Sequence, residues 1–251
     1  HVEVHAGAFS KSQVVLMHDT TGNVNGSMLS IVGDQADLTM LSVIDADLPV
    51  TQHLHWFTEV GRDANFLGLS ITLGGGVIRT VPMVTYRAPG GKAQMLGAFL
   101  LTGHQFQEHR ILVDHTEPHC TSNVIYKGAL SGEGAHSVWI GDVLVRREAT
   151  GIETYELNRN LLLTDGPRAD SVPNLELETG DVISAGHASA TGRFDDEQLF
   201  YLQSRGIPEA LARQLVVRGF FVEVLNKIDD PDLRDSLMHR IESKLGIVDH
   251  E

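Results

Sequence analysis

From about Gln13 to Leu177 the chain is a succession of short apolar runs cut by Gly, Asp, Pro and Thr turns. The runs fall at 14–17, 38–44, 66–73, 81–86, 95–101, 110–113, 123–126, 137–145, 161–163 and 175–177. Several alternate with period two, as in Leu67-Gly-Leu-Ser-Ile-Thr-Leu73, the mark of strands with one buried face. Their starts recur every roughly 13–17 residues from Phe66 to Leu161. That regularity favours a stacked coil, with each strand pairing with its equivalent one turn away, over a β-sandwich. No helix is needed between the runs.

After Gly180 the pattern changes to a 3.6-residue period. The segment 194–205 reads as a helix, with Asp195 as N-cap and Gln198 at the reciprocal capping-box position. Gly206 suits the C′ position, and Pro208 opens a second helix that runs to about Lys227. A third begins at Asp230-Pro231, repeats Leu233, Leu237, Ile241 and Leu245, and stops at Gly246. The second helix is apolar nearly all round through Leu215-Val-Val-Arg-Gly-Phe-Phe-Val-Glu-Val-Leu225. Such a helix needs cover on more than one side. Packing against its own neighbours and docking of a partner through Arg218, Gly219, Phe220, Phe221 and Leu225 both remain open. Gly219 inside it points to a close backbone approach. The expected organisation is a mainly β solenoid core over 1–190 and a helical docking region over 191–251.

Composition narrows the function classes. Thirty-three acidic against 19 basic residues leave a net charge of −14, which argues against binding a phosphate backbone. No apolar run approaches the ~20 residues that span a bilayer. The single cysteine, Cys120, precludes an internal disulfide and fits a reducing cytoplasm. The chain begins at His1, which suggests a trimmed N-terminal region.

Most catalytic signatures fail on spacing. Gly91-Lys92 lacks the earlier glycine and the Ser/Thr of a P-loop, Gly74-Gly75-Gly76 lacks a dinucleotide fingerprint, and no nucleophile elbow exists. Cys120 lies near His115 and His119 in sequence, yet a lone cysteine is more often packed than reactive. Among 13 histidines, His53-Leu-His55 followed by Glu59 resembles part of a cupin metal motif without its framing glycines; Asp47 and Phe66 stand there. His104, His109, His115, His119 and His136 have no ligand spacing. A cupin-like metal enzyme, or a solenoid lyase acting on polysaccharide, is therefore the alternative reading.

A stronger signal lies in three stretches: Tyr155-Glu-Leu-Asn-Arg-Asn-Leu-Leu-Leu-Thr-Asp-Gly166, Ala169-Asp-Ser-Val-Pro-Asn-Leu-Glu-Leu177, and Gly186-His-Ala-Ser-Ala-Thr-Gly-Arg-Phe-Asp-Asp-Glu-Gln-Leu-Phe-Tyr-Leu-Gln-Ser-Arg-Gly-Ile207. These resemble the SufB/SufD family, the scaffold subunits of the SUF iron–sulfur cluster assembly system. Weaker similarity runs back to about Gly61. The chain is more similar to SufD than to SufB. Asn158 stands where SufB subunits carry a cluster-site cysteine, Gly186 and Ala188 replace flanking glutamates, and Ala185 stands where some SufD proteins have a cysteine.

The resemblance implies a right-handed parallel β-helix with a short C-terminal helical tail, and a non-catalytic scaffold. It also implies pairing with a SufB-like paralogue and docking of a SufC-like ABC-type ATPase on the C-terminal helices. His187 is the one metal ligand it carries over, in a loop leading to the tail, for a transient iron–sulfur cluster shared with the partner. No cofactor is expected to bind the isolated chain tightly. A solenoid edge lacking its partner is also a plausible homodimer surface.

Overall fold

The computed structural model describes residues 1–246, with the side chains of Asp196 and Gln198 excepted. Among the described residues fourteen strands form two seven-stranded sheets. The odd sheet runs β1 (Val2–Ala6), β3 (Val24–Val32), β5 (Thr51–Val60), β7 (Val77–Tyr86), β9 (Phe106–His115), β11 (His136–Val145), β13 (Arg168–Leu177). The even sheet runs β14 (Val182–Arg193), β12 (Ile152–Leu162), β10 (Thr121–Ser131), β8 (Lys92–Thr102), β6 (Asn65–Gly74), β4 (Asp37–Ala46), β2 (Lys11–His18). Every ladder is parallel, so each strand pairs with the strand two positions on, one turn of the solenoid away. Asp37 lies beside Asn65, Asn65 beside Lys92, Lys92 beside Thr121 and Thr121 beside Glu153. One turn thus takes two strands, and the spacing of apolar runs in the sequence is half a turn. The solenoid expectation holds over about seven turns.

Strands absent from the sequence reading are β1 (Val2–Ala6), β3 (Val24–Val32) and β14 (Val182–Arg193), while β12 is longer than its apolar core, at Ile152–Leu162. β14 carries His187, so the segment read as a loop is a strand. It is rich in Ala, Ser and Gly because, as the last strand of its sheet, it has no further turn to cover. Pro173 sits inside β13 (Arg168–Leu177), which edge strands tolerate because one row of their backbone groups is unpaired.

The solenoid has two apolar layers. Inside lie Leu38, Met40, Ile44, Phe66, Met95, Phe99, Tyr126 and Trp139. A second cluster joins the outer face of the even sheet to the helices: Leu41, Val43, Leu69, Ile71, Leu73, Leu96 and Leu100 meet Val217, Phe221, Val224, Leu225, Leu237 and Ile241. The alternating leucines of β6 (Asn65–Gly74) therefore face outward, toward the helices. Their polar partners Ser70 and Thr72 are buried on the other face. This explains why β6 is buried on both faces, whereas β11 (His136–Val145) alternates strictly.

The helices are α1 (Asp196–Ser204), α2 (Glu209–Leu225) and α3 (Pro231–Lys244). The Asp195 carboxylate accepts from the Glu197 N–H, as an N-cap does; the Gln198 half of the capping box lies outside the described residues. Gly206 adopts φ +85, the left-handed C′ conformation that ends α1. Asp230 caps α3 by accepting from Asp232 and Leu233 N–H. Charged contacts pin this layer. Buried Lys127 of β10 (Thr121–Ser131) pairs with Glu223 at 2.7 Å and donates to the Phe220 carbonyl at 2.9 Å. Arg218 of α2 pairs with buried Glu242 of α3. Asp45 of β4 (Asp37–Ala46) receives Arg240 at 2.6 Å and Lys244 at 2.8 Å. Desolvation raises the Asp45 carboxyl, but these two cations outweigh it and hold it below the ordinary range.

Because Phe221 is fully buried at the centre of this layer, Phe221→Ala should cost about 3–5 kcal/mol of its stability. Amide exchange is expected to accelerate in α2 and α3 and to stay slow in β9 and β11; uniform acceleration through both sheets would contradict a separable helix layer.

Candidate functional site

Stacking stops at β13 and β14, and there the interior changes character. In the even sheet the inward column Thr154, Glu156, Asn158 and Asn160 of β12 is buried, with Glu156 and Asn158 at 0% exposure. One turn earlier Val124 and Tyr126 occupy the places of Glu156 and Asn158. One turn later the equivalent positions are Ala185, His187, Ser189 and Thr191 of β14. A polar mouth thus closes an apolar solenoid.

Hydrogen bonds tie most of this mouth together. Asn160 Nδ2 donates to Asn158 Oδ1 at 2.9 Å, to Ser171 Oγ at 3.0 Å and to Thr191 Oγ1 at 3.1 Å. Ser171 Oγ donates to Asn158 Oδ1 at 2.7 Å, across from the odd sheet. Asn158 is therefore a structural amide that links β12 to β13.

Glu156 stands out because neither carboxylate oxygen has a hydrogen-bond partner. Its nearest basic group is His187, Nδ1 to Oε1 at 3.7 Å, on a side chain 43% exposed. Gly141 of β11 makes room for it: a Cβ there would lie 2.3 Å from Glu156 Oε2. Burial, with the negative charge of Asp142 adding to it, pushes the Glu156 carboxyl up to about 8. The residue was missed in the sequence, although strand parity from Ile152 to Asn160 places a carboxylate on the buried face.

The other candidates lie apart. His53 and His55 are exposed on the outer face of β5 (Thr51–Val60), and Glu59 faces Arg87 at 3.5 Å. All ladders here are parallel, unlike a cupin jelly roll, so the cupin reading is corrected. No group of three or more His, Cys, Asp or Glu is placed to hold a metal among the described residues. Cys120 is buried against the Pro118 and Ala88 carbonyls, and burial pushes its thiol up to about 11. His109 and His115 are buried and driven down to about 3 and about 4 by desolvation, and serve as neutral interior rings beside Phe99 and Tyr86.

The five α2 candidates divide. Phe221 and Leu225 are fully buried within the chain. Phe220 is half-buried beside Lys127, whose ammonium lies 5.4 Å from its ring centre. Arg218 is half-exposed while holding Glu242. Gly219 is exposed, and a Cβ there would meet nothing within 4 Å, so no close backbone approach accounts for it. The exposed apolar positions are instead Leu211, Leu215 and Val222 of α2 with Phe200 and Tyr201 of α1. A separate polar groove of about 1020 Å³ crosses the outer face of the even sheet, with Lys11, Asp37, Lys92, Glu153, Lys227 and Asp229 along it. No helix among the described residues is long and apolar enough to cross a membrane.

The raised Glu156 value has a calculable consequence. Between pH 4.5 and about 8 the folded chain keeps a proton that the unfolded chain has released. The group's contribution to stability is therefore complete below pH 4.5 and is lost as pH rises through about 8. Glu156→Gln removes this dependence, and its advantage over the wild type should grow with pH to about 2–4 kcal/mol. Urea unfolding at pH 5 and pH 8 checks it; equal differences at both would place the ordinary carboxyl value on Glu156.

Residues 1–220 match the family described as SUF system FeS cluster assembly, SufBD core domain. The chain is 49% identical over 256 residues to an iron–sulfur cluster assembly SufBD family protein of Mycobacterium tuberculosis, covering 99% of this chain and 64% of that protein. It is 28% identical over 198 residues to the iron–sulfur cluster assembly protein SufD of Escherichia coli, covering 78% of this chain and 46% of that one. A SufD of Plasmodium berghei is 29% identical over 240 residues, covering 92% of this chain and 18% of its own length. The chain spans less than two thirds of the length of these relatives. It belongs to the SufBD core family of the SUF iron–sulfur cluster assembly system.

Proposed function

We propose that the chain is a SufD-like, non-catalytic scaffold half that works against a SufB-like paralogue in the cytoplasm. The observation carrying this is the position of His187 on β14, the last strand of the even sheet, whose outer edge has no strand partner among the described residues. β13 leaves a second free edge beside it. A partner solenoid adding its own edge strands would satisfy both rows of backbone groups and bring its side chains to the polar mouth. In this reading the iron–sulfur cluster is cargo. His187 supplies an imidazole, a borderline ligand suited to iron, and the partner supplies thiolate and carboxylate. With one imidazole and no thiolate, the isolated chain binds iron weakly, and its free edges favour a homodimer.

The SufC-like ATPase docks, in the same proposal, on the outward face of α1 and α2. Leu211, Leu215 and Val222 form a stripe on the side of α2 away from the sheet, with Arg218 and Gly219 between them. This relocates the contact from Phe221 and Leu225, which the helix layer uses internally, to their exposed neighbours. Nucleotide-driven movement of the ATPase would then act on the end of the solenoid through α1, which directly follows β14.

Two outcomes are expected. In a cell that depends on this system, His187→Ala should sharply reduce delivery of clusters to client enzymes, and normal delivery would sink the assignment. Leu215→Asp and Gly219→Leu, both on the solvent side, should abolish co-purification of the ATPase without changing thermal unfolding; retained binding refutes the docking face.

A further inference from the structure

The buried Glu156 carboxylate has no structural role that its surroundings explain. An unpartnered carboxylate in a protein interior is costly, and an apolar residue of the same volume would serve packing better. Val124 does so one turn earlier. Among the described residues the basic group paired with it is the His187 ring, and the nitrogen that faces Glu156 is Nδ1. In-register parallel pairing sets this, since Glu156 and His187 are Cα partners and point to the same side of the sheet.

We propose that Glu156 is the positioning residue of His187: an oxygen of its carboxyl group accepts a hydrogen bond from the Nδ1–H and so presents the Nε2 lone pair outward at the solenoid mouth. The inference rests on the reading of His187 as a metal ligand. Histidines that bind metals through one nitrogen almost always donate the other N–H to a carboxylate or carbonyl, which fixes tautomer and ring orientation and raises basicity. The 3.7 Å separation closes to a hydrogen bond with a small rotation of an imidazole that is 43% exposed, and such bonds tighten when the site is loaded.

Direct ligation by Glu156 fits less well. Both oxygens are sealed from solvent, and Oε2 lies where a Cβ on Gly141 of the facing sheet would fall. An ion there would lack room for its remaining ligands, and the described residues offer no third His, Cys, Asp or Glu. Glu156 thus acts through His187, from within the chain, while the ligands that complete the site come from outside it. The carboxylate also accounts for Gly141, whose missing Cβ is the space that Oε2 occupies.

The test uses the whole chain with ¹⁵N-labelled histidine, the His187 signals being assigned by their loss in His187→Ala. At pH 9 the wild type should hold His187 as the Nδ1–H tautomer. Glu156→Met fills the same space without an acceptor and should revert the ring to Nε2–H, the form favoured in free imidazole side chains. Glu156→Gln, whose amide oxygen still accepts, should retain Nδ1–H. Co²⁺ titrated into the same samples should bind roughly 10–100-fold more weakly in Glu156→Met than in the wild type. The tautomer decides the assignment and the Co²⁺ affinities give its size. An Nε2–H ring in the wild type, or a wild-type tautomer in Glu156→Met, overturns it. A tautomer switch combined with normal cluster delivery by His187→Ala would keep this pairing and sink the cluster reading; the converse would sink only the role of Glu156.

Discussion

Parallel, in-register stacking is the constraint from which the rest of the molecule follows. Each inward side chain lies over its equivalent one turn on, so an apolar residue at one level demands an apolar neighbour at the next. Through most of the solenoid this is obeyed by Phe, Met, Leu and Val, with polar residues among them; Ser122, for one, meets Thr154 one turn on and His115 from the facing sheet. At the last turn the demand lapses because nothing follows. A polar column is tolerated there, and a site can be placed there without disturbing the core.

The same stacking creates two problems, one solved by the helices and the other, in the proposed assembly, by a partner. The outer face of the even sheet is apolar over β4, β6, β8 and β10, and α2 and α3 cover it. Lys127 shows how closely that cover fits, since its stem crosses the layer and its ammonium meets Glu223 and a helix carbonyl. The edges of β13 and β14 receive no such cover. Free backbone groups on two adjacent strands, next to a polar mouth, make the C-terminal end of the solenoid the natural place for a second chain.

Function and cover are therefore neighbours along the chain. β14 ends at Arg193 and α1 begins at Asp196, so in the proposed assembly a partner on the helices lies next in the chain to the strand that holds His187. Glu156 links the site inward, to Gly141 of the opposite sheet. The proposed site is rigid behind the imidazole and open in front of it, as expected of a surface that must release its cargo.

Much of this was legible from residue order. Regular half-turn spacing announced the solenoid, the capping residues Asp195, Gly206 and Asp230 marked the helices, and the Gly186–Ile207 stretch pointed to the family and to His187. Three features were not legible. β14 reads as a loop because its small and polar residues face no further turn. The leucines of β6 alternate correctly, but sequence cannot say which side of a sheet faces a helix, so Leu69 and Ile71 look like interior residues when they are the floor of the helix layer. Phe221, Leu225 and their exposed neighbours form one apolar helix whose inner and outer sides are defined only by the sheet beneath it. The sequence alone determined what most segments become, because periodicity and capping are local. Only the tertiary structure decided which faces meet, and so that Glu156 and His187, 31 residues apart in the chain and adjacent in a parallel ladder, form one unit.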